Sequence, residues 1–148
     1  CNGILFNHES PRRGSNFVTA KVVKTAIEIK KGQKDKLELG NLDSKRDWGH
    51  SKDYVRAMHL IMNANQAEDW IVSTGETKSV RDLCEYVFKK LGMNYKDFVI
   101  QNQKFMRPEE LKYLKGDSSK IRKKLNWKPQ YTFENLIDEM INYWLDRI

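Results

Sequence analysis

The chain of 148 residues has the length of one domain, and its 39% hydrophobic and 11% aromatic residues are enough for a core. With 27 Lys and Arg against 20 Asp and Glu, the formal net charge is +7, which favours an anionic partner such as nucleic acid, a phosphorylated metabolite or an acidic membrane. Because the basic residues are scattered along the whole length, they argue against a dedicated nucleic-acid arm.

Cysteine and histidine usage argues against disulfide and metal chemistry. Cys1 and Cys84 are too few and too far apart for a disulfide framework or a metal site, so we expect a reducing compartment, the cytoplasm. His8, His50 and His59 lack the spacing of metal ligands, and no metal site is predicted. No apolar run approaches membrane-spanning length and no signal-peptide pattern is visible, so no membrane partner is expected.

The first predicted elements are a strand, a polar loop and a helix. Residues 3–6 form a continuous apolar run, typical of a strand buried on both faces. The polar residues 7–18 lead into a helix predicted over 17–31, which Asn16 can cap and which ends at Gly32. Its apolar positions lie on one side, at Ala20, Val23, Ala26 and Ile27. A strand-to-helix junction of this kind binds anions readily, although a solvated loop is an alternative interpretation.

The chain begins at Cys1, without methionine, within this first predicted strand. We therefore expect it to be the tail of a longer polypeptide, whose missing part would cover the apolar run at residues 3–6.

The next part of the sequence predicts a strand, a second polar loop and a helix. Residues 36–40 alternate between polar and apolar side chains, as in a half-buried strand. Residues 41–49 are polar and are expected to form a loop. A helix from about residue 51 to 63 follows, and we expect it to place three apolar side chains inward, namely Val55, Met58 and Met62.

Two arginines stand at positions that suit phosphate binding. Arg46 is followed by Asp47, which can orient its guanidinium, and a guanidinium fixed in this way suits bidentate phosphate binding. Simple surface charge is the alternative interpretation. Arg107 precedes Pro108, which forces extended backbone on it, so Arg107 should project from a fixed corner.

The second half of the chain alternates short strands with helices. Residues 70–74 form a strand closed by Gly75, and Ser79 with Asp82 predicts a capping box for the next helix. Cys84 lies on the apolar face of that helix and is interpreted as a core thiol.

The last third of the chain predicts a short strand over 98–100, a small helix over about 118–125 and a final helix opened by Thr132. The final helix carries a sustained apolar stripe, which indicates core packing or a subunit contact. The stripe consists of Phe133, Leu136, Ile137, Met140, Ile141, Trp144, Leu145 and Ile148.

The sequence contains no complete set of catalytic groups. A self-contained enzyme needs a nucleophile with its base, a paired acid and base, or a metal, and none stands out. No Gly-rich phosphate loop is present either. We therefore assign no catalytic residue.

Several separate segments of the sequence form a distinctive set of motifs. The most particular is the His-Glu-Ser-Pro-Arg-Arg-Gly run at residues 8–14. The others are residues 2–7, 16–19, 39–43, 45–50, 74–76, 116–117 and 125–129, together with Arg107, Pro108 and Glu110. These segments closely resemble the GDP-mannose 4,6-dehydratase family, which belongs to the extended short-chain dehydrogenases/reductases, and the resemblance covers essentially the whole chain.

The resemblance implies an α/β fold, the C-terminal part of an NAD(P)-binding Rossmann-type enzyme with edge strands of the sheet and a small helix-rich lobe. Residues 1–148 would form the substrate-binding portion, with 1–14 and about 68–75 belonging to or abutting the Rossmann sheet. The implied reaction converts GDP-mannose to GDP-4-keto-6-deoxymannose with tightly bound NADP. The family's Tyr-x-x-x-Lys pair would lie upstream of Cys1, in a missing N-terminal Rossmann half, and a homo-oligomer, dimer or tetramer, is expected.

The resemblance also implies which residues bind the ligands. His8 and Arg13 match positions that contact NADP, with His8 near its nicotinamide end. Nine residues match positions that bind the nucleotide sugar, namely Asn7, Asn16, Val18, Lys21, Leu39, Gly40, Arg46, Arg107 and Glu110.

These nine residues would take different parts of the nucleotide sugar. Asn7 would meet the nucleotide sugar, and Leu39 and Gly40 would offer backbone groups to the nucleotide. The guanine-facing residues would be Asn16, Val18 and Lys21, in keeping with the preference of guanine O6 for a donor such as lysine. Arg46 and Arg107 would hold the diphosphate. A diphosphate with two negative charges loses hydration when it binds, and about two fixed cations are needed to compensate for that loss. Glu110 would accept hydrogen bonds from ribose hydroxyls.

Other functions stay open at this point. The chain could be a truncated, non-catalytic module that keeps the GDP pocket, or part of another extended short-chain dehydrogenase/reductase that acts on a nucleotide sugar. A small basic nucleic-acid-binding domain is disfavoured, because aromatic and cationic residues are not interleaved on one stripe. No nucleic-acid partner is therefore predicted.

Overall fold

The structure, a computed structural model, describes residues 1–106, 109 and 111–148. Across these ranges, no helix combines the length and the apolar character needed to cross a bilayer. The strands are β1 Gly3–Leu5, β2 Asn7–Glu9, β3 Leu37–Leu39, β4 Lys45–Arg46, β5 Trp48–His50, β6 Trp70–Val72, β7 Lys78–Ser79, β8 Val99–Gln101 and β9 Tyr113–Leu114. The helices are α1 Val18–Lys30, α2 Ser51–Met62, α3 Val80–Lys90, α4 Ser119–Leu125 and α5 Phe133–Leu145.

Parallel strand pairs organise the fold. β1 pairs with β6, β2 with β5 and β3 with β8, all in parallel. In each pair at least one helix separates the two partners in the chain, as parallel pairing requires. β4 pairs with β7 in antiparallel and with β9 in parallel orientation. The predicted α/β class is therefore confirmed.

Two segments that the sequence predicts as loops contain strands. Asn7–Glu9 pairs with Trp48–His50, and Lys45–Arg46 is a strand as well. The loop prediction is wrong for both segments. Their sequences gave no strand signal, because they are polar and too short to show a period of two. The strands nevertheless form, because pairing satisfies their backbone groups and the buried side chains of Glu9 and His50 find hydrogen-bond partners.

Strand β1 is half exposed in this chain, so the described residues do not by themselves bury it on both faces. Leu5 packs against a cluster around Tyr54 and Trp70, whereas the side chain of Ile4 is 53% exposed. Successive side chains of a strand point to opposite faces, and α2 packs against β1 on the side of this cluster. The other face of β1 leaves an apolar side chain on the surface.

The larger hydrophobic core lies among α1, α3 and α5. The predicted apolar face of α1, with Ala20, Val23, Ala26 and Ile27, is completely buried. The stripe on α5 faces the same core from Phe133 to Ile141, and Trp48 stacks on Phe133 with ring centroids 6.1 Å apart. Cys84 is completely buried in this core, as predicted for a structural thiol.

Helix α2 turns a different face to the core from the predicted one. Its buried side chains are Asp53, Tyr54, Ala57 and Ile61. The expectation for Val55, Met58 and Met62 is wrong, since these side chains are 62%, 39% and 84% exposed. Two faces of the helix carry apolar side chains. The face that is buried was not predicted from the sequence because it includes the carboxylate of Asp53. Asp53 tolerates burial because it accepts hydrogen bonds from two backbone N–H groups, those of Gln130 and Tyr131.

The helix starts follow capping rules in two of three predicted cases. Ser79 and Asp82 form the predicted capping box of α3, and Thr132 caps α5. The prediction that Asn16 caps α1 is wrong, because the N-cap position is occupied by Phe17, without a side-chain cap. Phe17 already has extended backbone and its carbonyl accepts the first helical hydrogen bond, so Asn16 lies one residue too early.

The buried carboxylate of Asp47 joins three parts of the chain. Its Oδ1 accepts hydrogen bonds from the backbone N–H and the hydroxyl of Thr74, at 2.9 and 2.6 Å. Its Oδ2 accepts from the N–H groups of Gly75 and Gly116, at 2.9 and 3.3 Å. The sequence suggested Asp47 as the group that orients Arg46. The hydrogen bonds of Asp47 instead connect the β4–β5 junction to the segment after β6 and to the segment after β9.

The burial of Cys84 predicts a difference in reactivity between the two thiols. Burial raises the pKa of Cys84 to about 12, and the thiolate is the reactive form, whereas Cys1 is exposed. We expect one thiol to react rapidly with Ellman's reagent in the native protein and both to react after unfolding in guanidinium. The variant Cys84→Ala should show one reactive thiol in both states, and two rapidly reacting thiols in the native protein would contradict the burial.

The Asp47 junction predicts a large stability loss in the variant Asp47→Asn. Asparagine offers one acceptor oxygen in place of two, so buried N–H groups lose their partners and the free energy of unfolding should fall by about 3 kcal/mol. Urea unfolding followed by tryptophan fluorescence measures this loss. The control is Asp43→Asn, because Asp43 is 73% exposed in its ion pair with Arg81 and should change stability by less than about 0.5 kcal/mol. Equal losses in the two variants would contradict the role of Asp47.

Candidate functional site

One cleft of about 310 Å³ gathers the described residues that the sequence assigns to the substrate. It lies at the N-terminus of α1, beside the end of β3. The assigned residues that line it are Asn7, Asn16, Val18, Lys21, Leu39, Gly40 and Arg46. Arg107 and Glu110 lie outside the described residues. The ligand contacts of all nine residues stay predictions, but seven of them share this one cleft.

The ammonium group of Lys21 is fixed at one side of the cleft. Its Nζ donates a hydrogen bond to the backbone carbonyl of Glu38 at 2.7 Å and lies 4.1 Å from the centroid of the Phe105 ring. Burial lowers the pKa of Lys21, against the opposing effect of the Glu38 carboxylate. An ammonium group has three N–H donors, so Lys21 keeps donor capacity for a ligand oxygen in the cleft.

Gly40 allows a short turn to close over the cleft. A Cβ at residue 40 would lie 2.2 Å from the backbone carbonyl oxygen of Phe105, so only glycine permits this approach. Two hydrogen bonds from Asn102 fix the turn, one from its N–H to the Leu39 carbonyl at 2.8 Å and one from its amide to the Glu38 carboxylate at 3.0 Å. The Phe105 ring is thereby held as one wall of the cleft.

Arg46 supplies the second described cation of the cleft. Its Nη1 donates to the backbone carbonyls of Lys45 and Leu111, at 2.9 and 2.7 Å. It lies on β4, which is held between β7 and β9. These bonds fix the direction of the guanidinium, whose planar set of donors suits phosphate oxygens.

The two predicted cofactor residues lie in a second depression of about 410 Å³, which Asn7 shares with the cleft. His8 Nδ1 lies 2.8 Å from the backbone carbonyl oxygen of Phe6. A carbonyl only accepts, so Nδ1 carries the proton and Nε2 is left as an acceptor when the ring is neutral. The His8 ring also stacks on Tyr54, with centroids 4.7 Å apart.

Arg13, the second of these residues, is held between a carboxylate and an aromatic ring. Its Nε lies 3.1 Å from Glu9 Oε2, and its guanidinium carbon lies 3.4 Å from the Phe17 ring centroid. Burial raises the pKa of Glu9, while a hydrogen bond from Thr19 and the charge of Arg13 oppose this shift. Phe17 also lines the cleft, so its ring contacts Arg13 and forms part of the cleft wall.

The sequence did not single out six further residues that line the cleft, namely Phe17, Asn41, Ser44, Trp48, Val80 and Phe105. Trp48 and Val80 gave no signal because they are buried and also belong to the core. Phe105 carried a usable signal, since it stands two residues before Arg107 at the predicted fixed corner.

The cleft suits an anionic ligand with a flat apolar part. Its described walls combine two cations, Lys21 and Arg46, with amides and aromatic rings, and they include no carboxylate, imidazole or thiol. Where the structure describes the chain, no group of three or more His, Cys, Asp or Glu side chains could hold a metal ion. The described walls therefore offer a ligand hydrogen-bond donors, positive charge and aromatic surfaces.

Comparison with known proteins agrees with the resemblance seen in the sequence. The sequence model of the family described as GDP-mannose 4,6 dehydratase matches residues 1–140. The chain is 48% identical over 142 residues to GDP-mannose 4,6 dehydratase 2 of Arabidopsis thaliana and 44% identical over 158 residues to GDP-mannose 4,6 dehydratase of Homo sapiens. These alignments cover 96% and 95% of the chain but 38% and 42% of the relatives, so the chain spans about two fifths of their length.

A solved structure shares the fold. The structure of RMD from Pseudomonas aeruginosa complexed with NADPH superposes with a TM-score of 0.89 at 22% sequence identity, over 99% of this chain and 48% of that one. Because the family model matches nearly the whole sequence, the chain belongs to the GDP-mannose 4,6-dehydratase family.

Proposed function

We propose that the protein acts in the conversion of GDP-mannose to GDP-4-keto-6-deoxymannose, and that this chain supplies the GDP-sugar pocket and part of an NADP site. The proposal rests on membership of the family and on one observation. The seven described residues that match the family's substrate-binding positions, although they come from distant parts of the sequence, line one cleft.

In this proposal the cleft binds the nucleotide through groups that the fold has already oriented. Lys21 donates to guanine O6, and Asn16 and Val18 lie beside the base. Arg46, together with Arg107, holds the diphosphate by charge-assisted hydrogen bonds. Because the Arg46 guanidinium is fixed by two backbone carbonyls, less side-chain entropy is lost when the diphosphate binds.

His8 and Arg13 are proposed to hold NADP in the second depression. The residues fit such a group, because an arginine backed by a carboxylate and an aromatic ring suits a phosphate or carboxamide oxygen, and His8 has a fixed ring orientation. The chemistry that bound NADP would supply there is reversible hydride transfer. His8 and Arg13 would bind and orient the dinucleotide and take no proton.

The proposed partners are a Rossmann-type dinucleotide-binding half and further copies of the protein. Exposed apolar side chains on β1 and α2 support such a contact, because Ile4, Val55 and Met62 are each more than half exposed. The two cysteines are both free thiols, in keeping with the proposed cytoplasmic location.

Arg46→Ala tests the proposed diphosphate contact. Loss of a charge-assisted hydrogen bond should weaken GDP-mannose binding by roughly 1.5–3 kcal/mol, as measured by isothermal titration calorimetry. Arg46→Lys should recover part of the affinity, because it keeps the charge but loses the planar donor set.

The control is Lys45→Ala, an exposed lysine on the same strand, which should leave the affinity unchanged. Equal affinity in wild type and Arg46→Ala would remove Arg46 from the site. Conversion of GDP-mannose in the presence of NADP tests the enzyme itself, since binding of GDP without conversion would favour the non-catalytic binding module.

A further inference from the structure

The Phe105 ring forms part of the wall of the cleft. Its side chain is 43% exposed, so one part of the ring is accessible from the cleft. The position of the ring is fixed, because the turn that carries it packs on Gly40 and is bonded to β3 through Asn102. The turn therefore presents an aromatic ring at a defined place in the cleft.

Inside the cleft, the Phe105 ring contacts the ammonium group of Lys21. The distance of 4.1 Å from Nζ to the ring centroid is that of a cation–π interaction. Lys21 Nζ donates one hydrogen bond to the Glu38 carbonyl at 2.7 Å, and the nearby Phe105 ring attracts the ammonium as well. Two contacts thus hold the ammonium in place, and because it has three N–H donors, donor capacity is left for a ligand.

We propose that Phe105 is a positioning residue, which fixes the Lys21 ammonium as a donor for a nucleobase carbonyl oxygen and so makes the cleft select 6-oxopurines over 6-aminopurines. The inference rests on the proposed function, in which the cleft binds a purine nucleotide. Guanine and hypoxanthine present an acceptor, O6, at this position, whereas adenine presents a donor, N6–H₂. When the ammonium is held at this position, its N–H that faces the N6 amino group of adenine has no acceptor there, which costs affinity.

The test measures the affinities of the protein for GDP, IDP and ADP by calorimetry in wild type and three variants. Wild type should bind GDP and IDP more tightly than ADP. Phe105→Leu removes the cation–π contact, so GDP and IDP should bind about fivefold more weakly while ADP is unchanged. Phe105→Tyr keeps an aromatic face and should retain the wild-type preference, and Met106→Leu, on the neighbouring exposed residue, should change none of the affinities.

A double-variant cycle separates positioning from direct stacking of the ring on the base. In a Lys21→Met background the preference for 6-oxopurines should be lost, and Phe105→Leu should then have no further effect on the ratio of GDP to ADP affinity. If Phe105→Leu weakens GDP and ADP equally, or acts equally with and without Lys21, the ring contacts the base itself and the positioning role is overturned.

The outcomes also separate this inference from the proposed function. A wild-type protein that binds none of the three nucleotides would contradict the proposed function, and the role of Phe105 would fall with it. A wild-type protein that prefers GDP, with the same preference in Phe105→Leu, would overturn the role of Phe105 and leave the proposed function in place.

Discussion

The fold depends on one buried anion that has no cationic partner among its described contacts. Asp47 accepts four hydrogen bonds, three from backbone N–H groups and one from a hydroxyl, and so joins three segments that are far apart in the sequence. A carboxylate can be buried at modest cost when several aligned donors replace its hydration. Short strands of two or three residues contribute few ladder bonds, so this junction supplies order that the strands alone cannot.

The Asp47 junction also positions residues of the candidate binding cleft. Arg46 on β4 precedes Asp47 directly and Trp48 on β5 follows it, so the anchored carboxylate fixes the junction between the two strands that carry these residues into the cleft. Elsewhere in the cleft wall, the backbone of Phe105 lies so close to Gly40 that residue 40 has no room for a side chain. Backbone contacts thus determine the shape of the cleft, and backbone carbonyl groups orient the side chains of Lys21 and Arg46.

The sequence predicted the helices, the strands β1, β3, β6 and β8, and the membership of the family, because these follow from apolar runs and periods and from distinctive local motifs. It missed β2, β4, β5, β7 and β9, since strands of two or three residues are too short to show a period and depend on partners that are distant in the sequence. The inward face of α2 was also missed, because Asp53 is buried through bonds to residues more than seventy positions away. The clustering of Asn7, Lys21 and Arg46 could be expected only from the resemblance, as spacing in the sequence does not bring them together.

The register between β2 and β5 determines which side chains lie next to one another on the two faces of this strand pair. Asn7 lies opposite Trp48 and His8 opposite Gly49, and consecutive side chains of a strand point to opposite faces. A Cβ at residue 49 would lie 2.4 Å from the Tyr54 ring, which also stacks on His8. If β5 slid by one residue, tryptophan or histidine would have to fill that space, so the absence of a side chain at Gly49 acts as a steric check on the register of the two strands.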